Sequence, residues 1–158
     1  MATANLERVT RTFLDLVRID SPTFQEQAIC RRLAADLEAL GLPVENDGTG
    51  RDGVGNLIAR LDGGPGLPIA LSAHFDTVQP GEGIEPVIEN GIVRSAGDTI
   101  LGSDDKAGLA AILEVLHVLK DAGLPHPPIE IVLTWGEERA HLGAAAVDVS
   151  RLRSYALV

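Results

Sequence analysis

A chain of 158 residues with a hydrophobic fraction of 45% is long enough to bury a core and too apolar to be disordered. Its net charge of −10 argues against binding to nucleic acid or to an anionic membrane surface. The sequence contains no apolar run of the length of a membrane span, and its first residues lack the apolar stretch of a signal peptide. Cys30 is the single cysteine, which excludes an internal disulfide and favours a reducing, cytoplasmic setting.

The first 61 residues are predicted to form two helices and then two strands. Apolar residues at helical spacing predict an amphipathic helix over 5–18. The segment Thr23-Phe24-Gln25-Glu26 matches the capping-box pattern and predicts the start of a second helix, which ends at Gly41. The strands 42–45 and 56–61 flank a glycine-rich loop with a formal GxGxxG motif. A nucleotide site needs a helix after this motif, but a strand-like segment follows it. We therefore interpret the glycine-rich stretch as a hairpin-like loop.

The rest of the chain alternates between predicted strands and helices. The predicted strands are Ile69–Ala73, Ile129–Trp135 and the start of one at Ser154–Val158, together with a hairpin of Pro86–Ile88 and Ile92–Arg94 around Asn90-Gly91. A long helix is predicted from near Leu109 to Gly123, and a short one at Leu142–Val147. This alternation predicts an α/β layered fold with a largely parallel central sheet flanked by helices.

Three polar clusters lie at the ends of these elements. His74 and Asp76 directly follow one apolar strand, and Glu137-Glu138 follow another. Asp104-Asp105-Lys106 opens the long helix. Because parallel strands end at the same edge of a sheet, we expect the three clusters to meet there.

These side chains have the chemistry of a hydrolytic site with divalent metal ions. Such ions take imidazole and carboxylate ligands, and one uncoordinated carboxylate must remove a proton from water. We predict that His74 is a metal ligand and that Asp76 holds its far ring nitrogen and fixes its tautomer. The consecutive residues Glu137 and Glu138 can divide the tasks of base and ligand.

Each cluster taken alone has a plainer interpretation. An isolated His-x-Asp is usually a surface coincidence, Asp104-Asp105 before a helix is more often a cap, and Glu137-Glu138 is more often a solvated turn. The order and placement of the three clusters together favour the metal site.

The segments 72–78 (SAHFDTV), 100–113 (ILGSDDKAGLAAIL) and 134–144 (TWGEERAHLGA) resemble the signatures of the two-zinc aminoacylase/carboxypeptidase G/peptidase T metallopeptidases, and most of all the peptidase T-like branch. The resemblance implies that His74 binds one metal, that Asp76 orients it and that Asp104 bridges two metals. It also implies that Glu137 is the general base and that Glu138 is a ligand of the second metal.

The resemblance further implies a zinc-exopeptidase-like fold and metal-dependent hydrolysis of peptide bonds in short peptides, of the aminopeptidase or tripeptidase type. A metal-bound hydroxide would act with Glu137 as general base. The expected cofactors are two divalent metal ions, zinc first with cobalt or manganese as alternatives, and the expected partner is a short peptide. Two other functions stay open, an N-acyl amino acid amidohydrolase and a non-catalytic metal-binding or partner-binding remnant.

The chain departs from the family pattern in two ways. Ala140 stands where the family usually has glycine, and a further acidic ligand and a later histidine would lie beyond Val158. We therefore expect residues 1–158 to be the N-terminal part of a single metallopeptidase catalytic domain without its lid or dimerisation domain. By itself this part is expected to be inactive, to bind metal weakly and to self-associate into homo-oligomers. His141 could approach the metals, although its family counterpart is not a ligand.

Overall fold

The structure, a computed structural model, describes residues 3–158. Its helices are α1 (Leu6–Val17), α2 (Gln27–Ala39), α3 (Ser103–Ala122) and α4 (Leu142–Ala146), with a 3₁₀ turn at Val149–Arg151. Its strands are β1 (Val44–Asn46), β2 (Leu57–Leu61), β3 (Ile69–His74), β4 (Pro86–Glu89), β5 (Ile92–Ser95), β6 (Ile129–Thr134) and β7 (Ala156–Leu157). Within the described residues, none of the helices combines the length and the apolar character needed to cross a membrane.

Five strands form the central sheet in the order β1-β2-β6-β3-β7. The pairs β6–β3 and β3–β7 are parallel, whereas β2 is antiparallel to both β1 and β6. Four strands of this sheet therefore point one way, and β2 points the other. The predicted α/β fold with a largely parallel central sheet flanked by helices is confirmed.

The centre of the sheet is strand β6, which is buried along its whole length. It lies between β2 and β3, α3 packs against β3, and α2 packs against β1 and β2. Large side chains fill the space between the layers, and the most deeply buried include Leu33, Phe75, Leu109, Ile131 and Leu133. Each such side chain stabilises the fold by about 1.5–3 kcal/mol through burial. The ends of β3 and β6 are therefore held by a packed core.

The β4–β5 hairpin forms a separate two-stranded sheet. Its turn residues Asn90 and Gly91 have φ angles of 53° and 78°. These values belong to the tight turn that an Asn-Gly pair favours, because both central residues must adopt positive φ. The predicted hairpin is confirmed.

The capping-box prediction at the start of α2 is wrong. The helix begins at Gln27, and Glu26 stands at its N-cap without a side-chain capping hydrogen bond to described residues. The hydroxyl group of Thr23 donates instead to Oδ2 of Asp76 at 2.7 Å. The hydroxyl of Thr23 therefore binds a buried carboxylate just past the end of β3 and does not cap α2.

The glycine-rich loop connects the antiparallel strands β1 and β2 and is not followed by a helix. Asp47 organises it, because its carboxylate accepts hydrogen bonds from the backbone N–H of Thr49 and from both the backbone and the side chain of Asn56. Trp135 closes the loop by donating its indole N–H to the hydroxyl of Thr49. The structure therefore agrees with the hairpin-like loop and not with a nucleotide site.

Candidate metal centre

The candidate site lies at the carboxyl edge of the two central parallel strands. His74 is the last residue of β3 and pairs in register with Thr134, the last residue of β6. The turn that contains Glu137 and Glu138 follows β6 directly, so the parallel pairing brings it beside His74. Asp104 arrives from the start of α3, where it and Asp105 still have non-helical backbone angles.

His74, Asp104 and Glu138 converge at this edge. One ligand atom from each side chain lies within 4.8 Å of the others. Nε2 of His74 is 3.2 Å from Oδ1 of Asp104, whose side chain is 85% exposed and open to an incoming ion. One imidazole and two carboxylates form a donor set that suits zinc and also cobalt or manganese. The structure thus brings together the three residues predicted as ligands, while their roles stay predictions.

The ring of His74 is held from its far side. Its Nδ1 lies 3.1 Å from the backbone carbonyl oxygen of Asp76 and 3.4 Å from the carboxylate oxygen Oδ1 of the same residue. Nδ1 donates to Asp76, and Nε2, which faces Asp104, is therefore the nitrogen that would exchange its proton for a metal ion. Burial lowers the pKa of His74, but the carboxylates of Asp76 and Asp104 outweigh burial. Together with the charge of Glu137 they raise this pKa to about 9.

Asp76 is fully buried and links His74 to the glutamate turn. Its Oδ1 accepts the backbone N–H of Glu137 at 2.8 Å, and its Oδ2 accepts the backbone N–H of Glu138 at 3.2 Å. Burial alone would raise the pKa of Asp76. The hydrogen bonds from His74, Thr23 and the glutamate backbone outweigh burial and hold that pKa below its usual value, so Asp76 stays ionised.

Glu137 lies beside the three-residue cluster. Its Oε2 is 3.8 Å from Nε2 of His74, and its Oε1 is 2.6 Å from Nδ1 of His141. One carboxylate oxygen therefore faces the cluster while the other is held by an exposed imidazole. Burial raises the pKa of Glu138, and the nearby carboxylates act in the same direction against the opposing effect of His74.

The turn that carries the two glutamates includes residues in the left-handed region. Gly136, Ala140 and His141 have φ angles of 60°, 64° and 55°. Ala140, which stands where the resembling family usually has glycine, thus adopts a conformation that glycine adopts without strain. This conformation brings the imidazole of His141 back over Glu137, and the backbone N–H of His141 donates to the carbonyl of Glu137 at 2.8 Å.

Asp105 and Lys106 have structural contacts. Oδ1 of Asp105 accepts the backbone N–H of Gly108 at 3.1 Å, so the capping interpretation holds for this aspartate. The side chain of Lys106 is fully buried and donates to the backbone carbonyl of Ile19 at 2.7 Å. Burial lowers the pKa of Lys106 to about 8, against the opposing charge of Asp20.

Sequence reasoning missed two contacts of this site. The capping-box pattern predicts that Thr23 caps a helix, whereas its hydroxyl donates to Asp76. The sequence predicts that His141 could approach the metals, and the structure places its Nδ1 2.6 Å from Oε1 of Glu137. The second pair, at a spacing of four residues, is a signal that the sequence carried. The first pair is separated by 53 residues, and no local pattern connects them.

The fold and the cluster define an α/β domain with a candidate metal centre at the edge of its sheet. The sequence matches the model of Peptidase family M28 over residues 56–153, and the chain belongs to this family. It is 45% identical over 152 residues to the Bacillus subtilis protein YqjE, covering 94% of this chain and 41% of that protein.

Two solved structures are similar to nearly the whole chain. An aminopeptidase PepT from Bacillus cereus has a TM-score of 0.93 and 42% identity, with 98% of this chain and 43% of that chain covered. A tripeptidase from Staphylococcus aureus has a TM-score of 0.91 and 40% identity, with 96% and 42% covered. The resemblance to peptidase T-like enzymes is therefore confirmed, and the chain spans about two fifths of the length of these relatives.

Proposed function

We propose that the whole protein is a metal-dependent exopeptidase that hydrolyses peptide bonds in short peptides, of the aminopeptidase or tripeptidase type. The observation that carries this proposal is the convergence of His74, Asp104 and Glu138 within 4.8 Å, with the carboxylate of Glu137 beside them. Membership of a peptidase family and the similarity to an aminopeptidase and a tripeptidase support it.

The donor set fits divalent metal ions. His74 and Glu138 would each hold one of two ions, and Asp104, the most exposed of the three, would lie between them. Zinc is the first candidate, with cobalt and manganese as alternatives. When bound, such ions supply Lewis acidity, which polarises a carbonyl group and makes water a nucleophile at neutral pH.

The residues of the chain would supply the proton transfers and the orientation. Glu137 would take a proton from the attacking water at Oε2 and pass it to the departing amine, because this oxygen faces the cluster. His141 holds the other oxygen of Glu137 and limits its rotation. Asp76 would keep a proton on Nδ1 of His74, so that Nε2 is the nitrogen that gives up its proton and binds metal.

We further propose that residues 1–158 supply one part of a catalytic domain whose remaining ligands come from elsewhere in the whole protein. The coverage of 43% of the PepT aminopeptidase supports this assignment. Three side chains divided between two ions give about two ligands each, fewer than the three typical of catalytic zinc. The chain alone is therefore expected to lack peptidase activity. A cytoplasmic setting is proposed because the single cysteine, Cys30, is buried and free.

The test is an assay of the whole protein, stripped of metal with a chelator and then reconstituted with zinc, cobalt or manganese. We expect hydrolysis of di- or tripeptides that is lost on chelation and restored by metal. N-acyl amino acids are assayed in the same preparation. Turnover of N-acyl amino acids alone would replace the proposal with an amidohydrolase. Metal binding without turnover of either substrate class would leave a non-catalytic metal-binding protein.

A further inference from the structure

The loop between α1 and α2, residues 18–26, contacts each of the three segments that carry the proposed metal ligands. We call these the first segment (74–77), the second segment (104–106) and the third segment (135–138). They lie at the end of β3, at the start of α3 and after β6, so noncovalent contacts must hold them beside one another.

The first segment is joined to the loop by side-chain and backbone contacts. The hydroxyl of Thr23 donates to Oδ2 of Asp76 at 2.7 Å. The backbone N–H of Thr77 donates to the carbonyl of Ser21 at 2.9 Å, and Pro22 forms a parallel bridge with Thr77. Because Asp76 is fully buried, the hydroxyl of Thr23 is a fixed partner of its carboxylate and does not compete with bulk water.

The second segment is joined to the loop through Lys106, two residues after Asp104. Its ammonium group donates to the carbonyl of Ile19 at 2.7 Å and is fully buried. Burying an ammonium group is costly unless hydrogen bonds compensate it. The contact with Ile19 is therefore a strong constraint on the position of the loop relative to the start of α3.

The third segment meets the loop where the rings of Phe24 and Trp135 lie with their centroids 6.5 Å apart. The loop also carries the buried residue Glu26. This side chain is 1% exposed, and its Oε1 has no hydrogen-bond partner among the described residues. Burial raises the pKa of Glu26, and the backbone N–H groups of Phe24 and Gly136 act in the opposite direction. Burying a carboxyl oxygen without a hydrogen-bond partner is costly.

We infer that the α1–α2 loop is a positioning element of the proposed metal centre and that Thr23 acts on the centre through Asp76. The inference rests on the proposed function, since it names what holds that site in place. Without the hydroxyl of Thr23, Oδ2 of Asp76 keeps the longer 3.2 Å contact to the backbone N–H of Glu138. The carboxylate can then rotate, and both the imidazole of His74 and the glutamate turn lose their shared anchor.

The test compares three variants of the whole protein with the wild type. Thr23→Val removes the hydroxyl and keeps the shape, Thr23→Ser keeps the hydroxyl, and Thr12→Val makes the same change at a half-buried threonine of α1 away from the site. Loss of a supporting hydrogen bond of this kind typically lowers metal affinity or activity 10- to 100-fold. We expect Thr23→Val to weaken zinc binding and kcat by at least about tenfold, with a smaller change in KM. Thr23→Ser should stay near the wild type.

A second readout does not depend on metal or turnover. In the metal-free protein, the imidazole NMR signals of His74 should shift in Thr23→Val and remain in place in Thr23→Ser and Thr12→Val. Thr23→Ala, which removes the same hydroxyl without adding a methyl group beside Asp76, replaces Thr23→Val if the valine variant does not fold.

The outcomes separate this inference from the proposed function. A folded Thr23→Val protein that matches Thr12→Val in zinc affinity, kcat and His74 signals would overturn the role of the loop. Equal losses in Thr23→Ser and Thr23→Val would overturn it too, because the hydroxyl would then not be the cause. A wild-type protein that binds no zinc and cleaves no peptide would refute the proposed function, and the His74 signals would still test the contact.

Discussion

Oδ1 of Asp76 accepts the backbone N–H of Glu137 at 2.8 Å and faces Nδ1 of His74 at 3.4 Å. One buried carboxylate therefore fixes the imidazole at the end of β3 and the glutamate turn at the end of β6. At this point β3 and β6 are joined by a side chain as well as by the backbone hydrogen bonds between them. The geometry of the candidate metal centre therefore depends on this carboxylate.

Asp76→Asn should disturb both parts of the site. The asparagine NH₂ group takes the place of one carboxylate oxygen and cannot accept a hydrogen bond. It would face a backbone N–H group or the N–H of His74, and one of these buried donors would then lack an acceptor. We expect a loss of about 1–3 kcal/mol in the free energy of unfolding. Zinc affinity should fall about 10- to 100-fold. Chemical denaturation and zinc competition titration measure the two effects. The exposed Asp121→Asn change is the control, and equal results for the two variants would contradict the account.

The adjacent residues Glu137 and Glu138 should respond differently to substitution. Glu137→Gln removes the proposed base and no ligand, so turnover by the whole protein should fall by a factor of about 10² or more while metal content stays nearly intact. Glu138→Ala removes a proposed ligand and should lower the metal content. Elemental analysis alongside kinetics separates the cases. Equal metal loss in both variants would show that the roles are assigned wrongly.

Local sequence patterns predicted much of this fold because the physical causes are local. The run 129–134 is apolar because β6 is buried between two strands, and Asn90-Gly91 forms a turn that requires positive φ at both residues. The placement of His74 and of the glutamate pair at one edge followed from the rule for parallel strands. These features could be read from the chain without knowing its tertiary contacts.

The parts that could not be predicted depend on contacts between distant residues. Thr23 carries a valid capping pattern, and only the folded chain shows that a buried carboxylate 53 residues away takes its hydroxyl. Asp104 and Asp105 are chemically identical neighbours, yet one reaches the cluster and the other caps α3. Their difference arises from backbone geometry at the start of the helix. The spacing of the two aspartates does not distinguish their roles. The resemblance to the metallopeptidase family does, because it implies that Asp104 is the metal ligand.

Ala140→Gly should stabilise the protein. The left-handed conformation at φ 64° costs a non-glycine residue about 1–2 kcal/mol. Glycine avoids this cost but adds about 0.4–1 kcal/mol of chain entropy to the unfolded state. We expect a net gain of up to about 1 kcal/mol, measured by thermal or denaturant unfolding. Ala144→Gly, the same chemical change inside α4, should instead destabilise by about 0.5–1 kcal/mol. A loss of stability in Ala140→Gly would contradict the strained turn.

Zinc binding should depend on pH through His74. In the metal-free protein its pKa is raised from 6.5 to about 9, so the imidazole is protonated at pH 7 and the metal must displace this proton. Apparent affinity should therefore rise by up to about tenfold per pH unit toward pH 9 and level off above it. Calorimetry at pH 7 in buffers of different ionisation enthalpy should show about one proton released from this residue. Binding that releases no proton would contradict the assignment.

The same shift has a consequence for stability without metal. A folded pKa above the ordinary value means that protonated His74 stabilises the metal-free fold. That contribution is fully present below about pH 6.5 and is lost as the pH rises through about 9. Added zinc should reverse this trend, because the metal binds the neutral imidazole.

The central claim is that His74, Asp104 and Glu138 hold metal. X-ray diffraction from crystals of the whole protein grown with zinc, with data collected at the zinc absorption edge, tests it most directly. The account predicts an anomalous peak about 2.0–2.2 Å from Nε2 of His74 and from carboxylate oxygens of Asp104 or Glu138. Two results at saturating zinc would contradict it. One is the absence of a peak among these three side chains, and the other is a peak found only elsewhere in the protein.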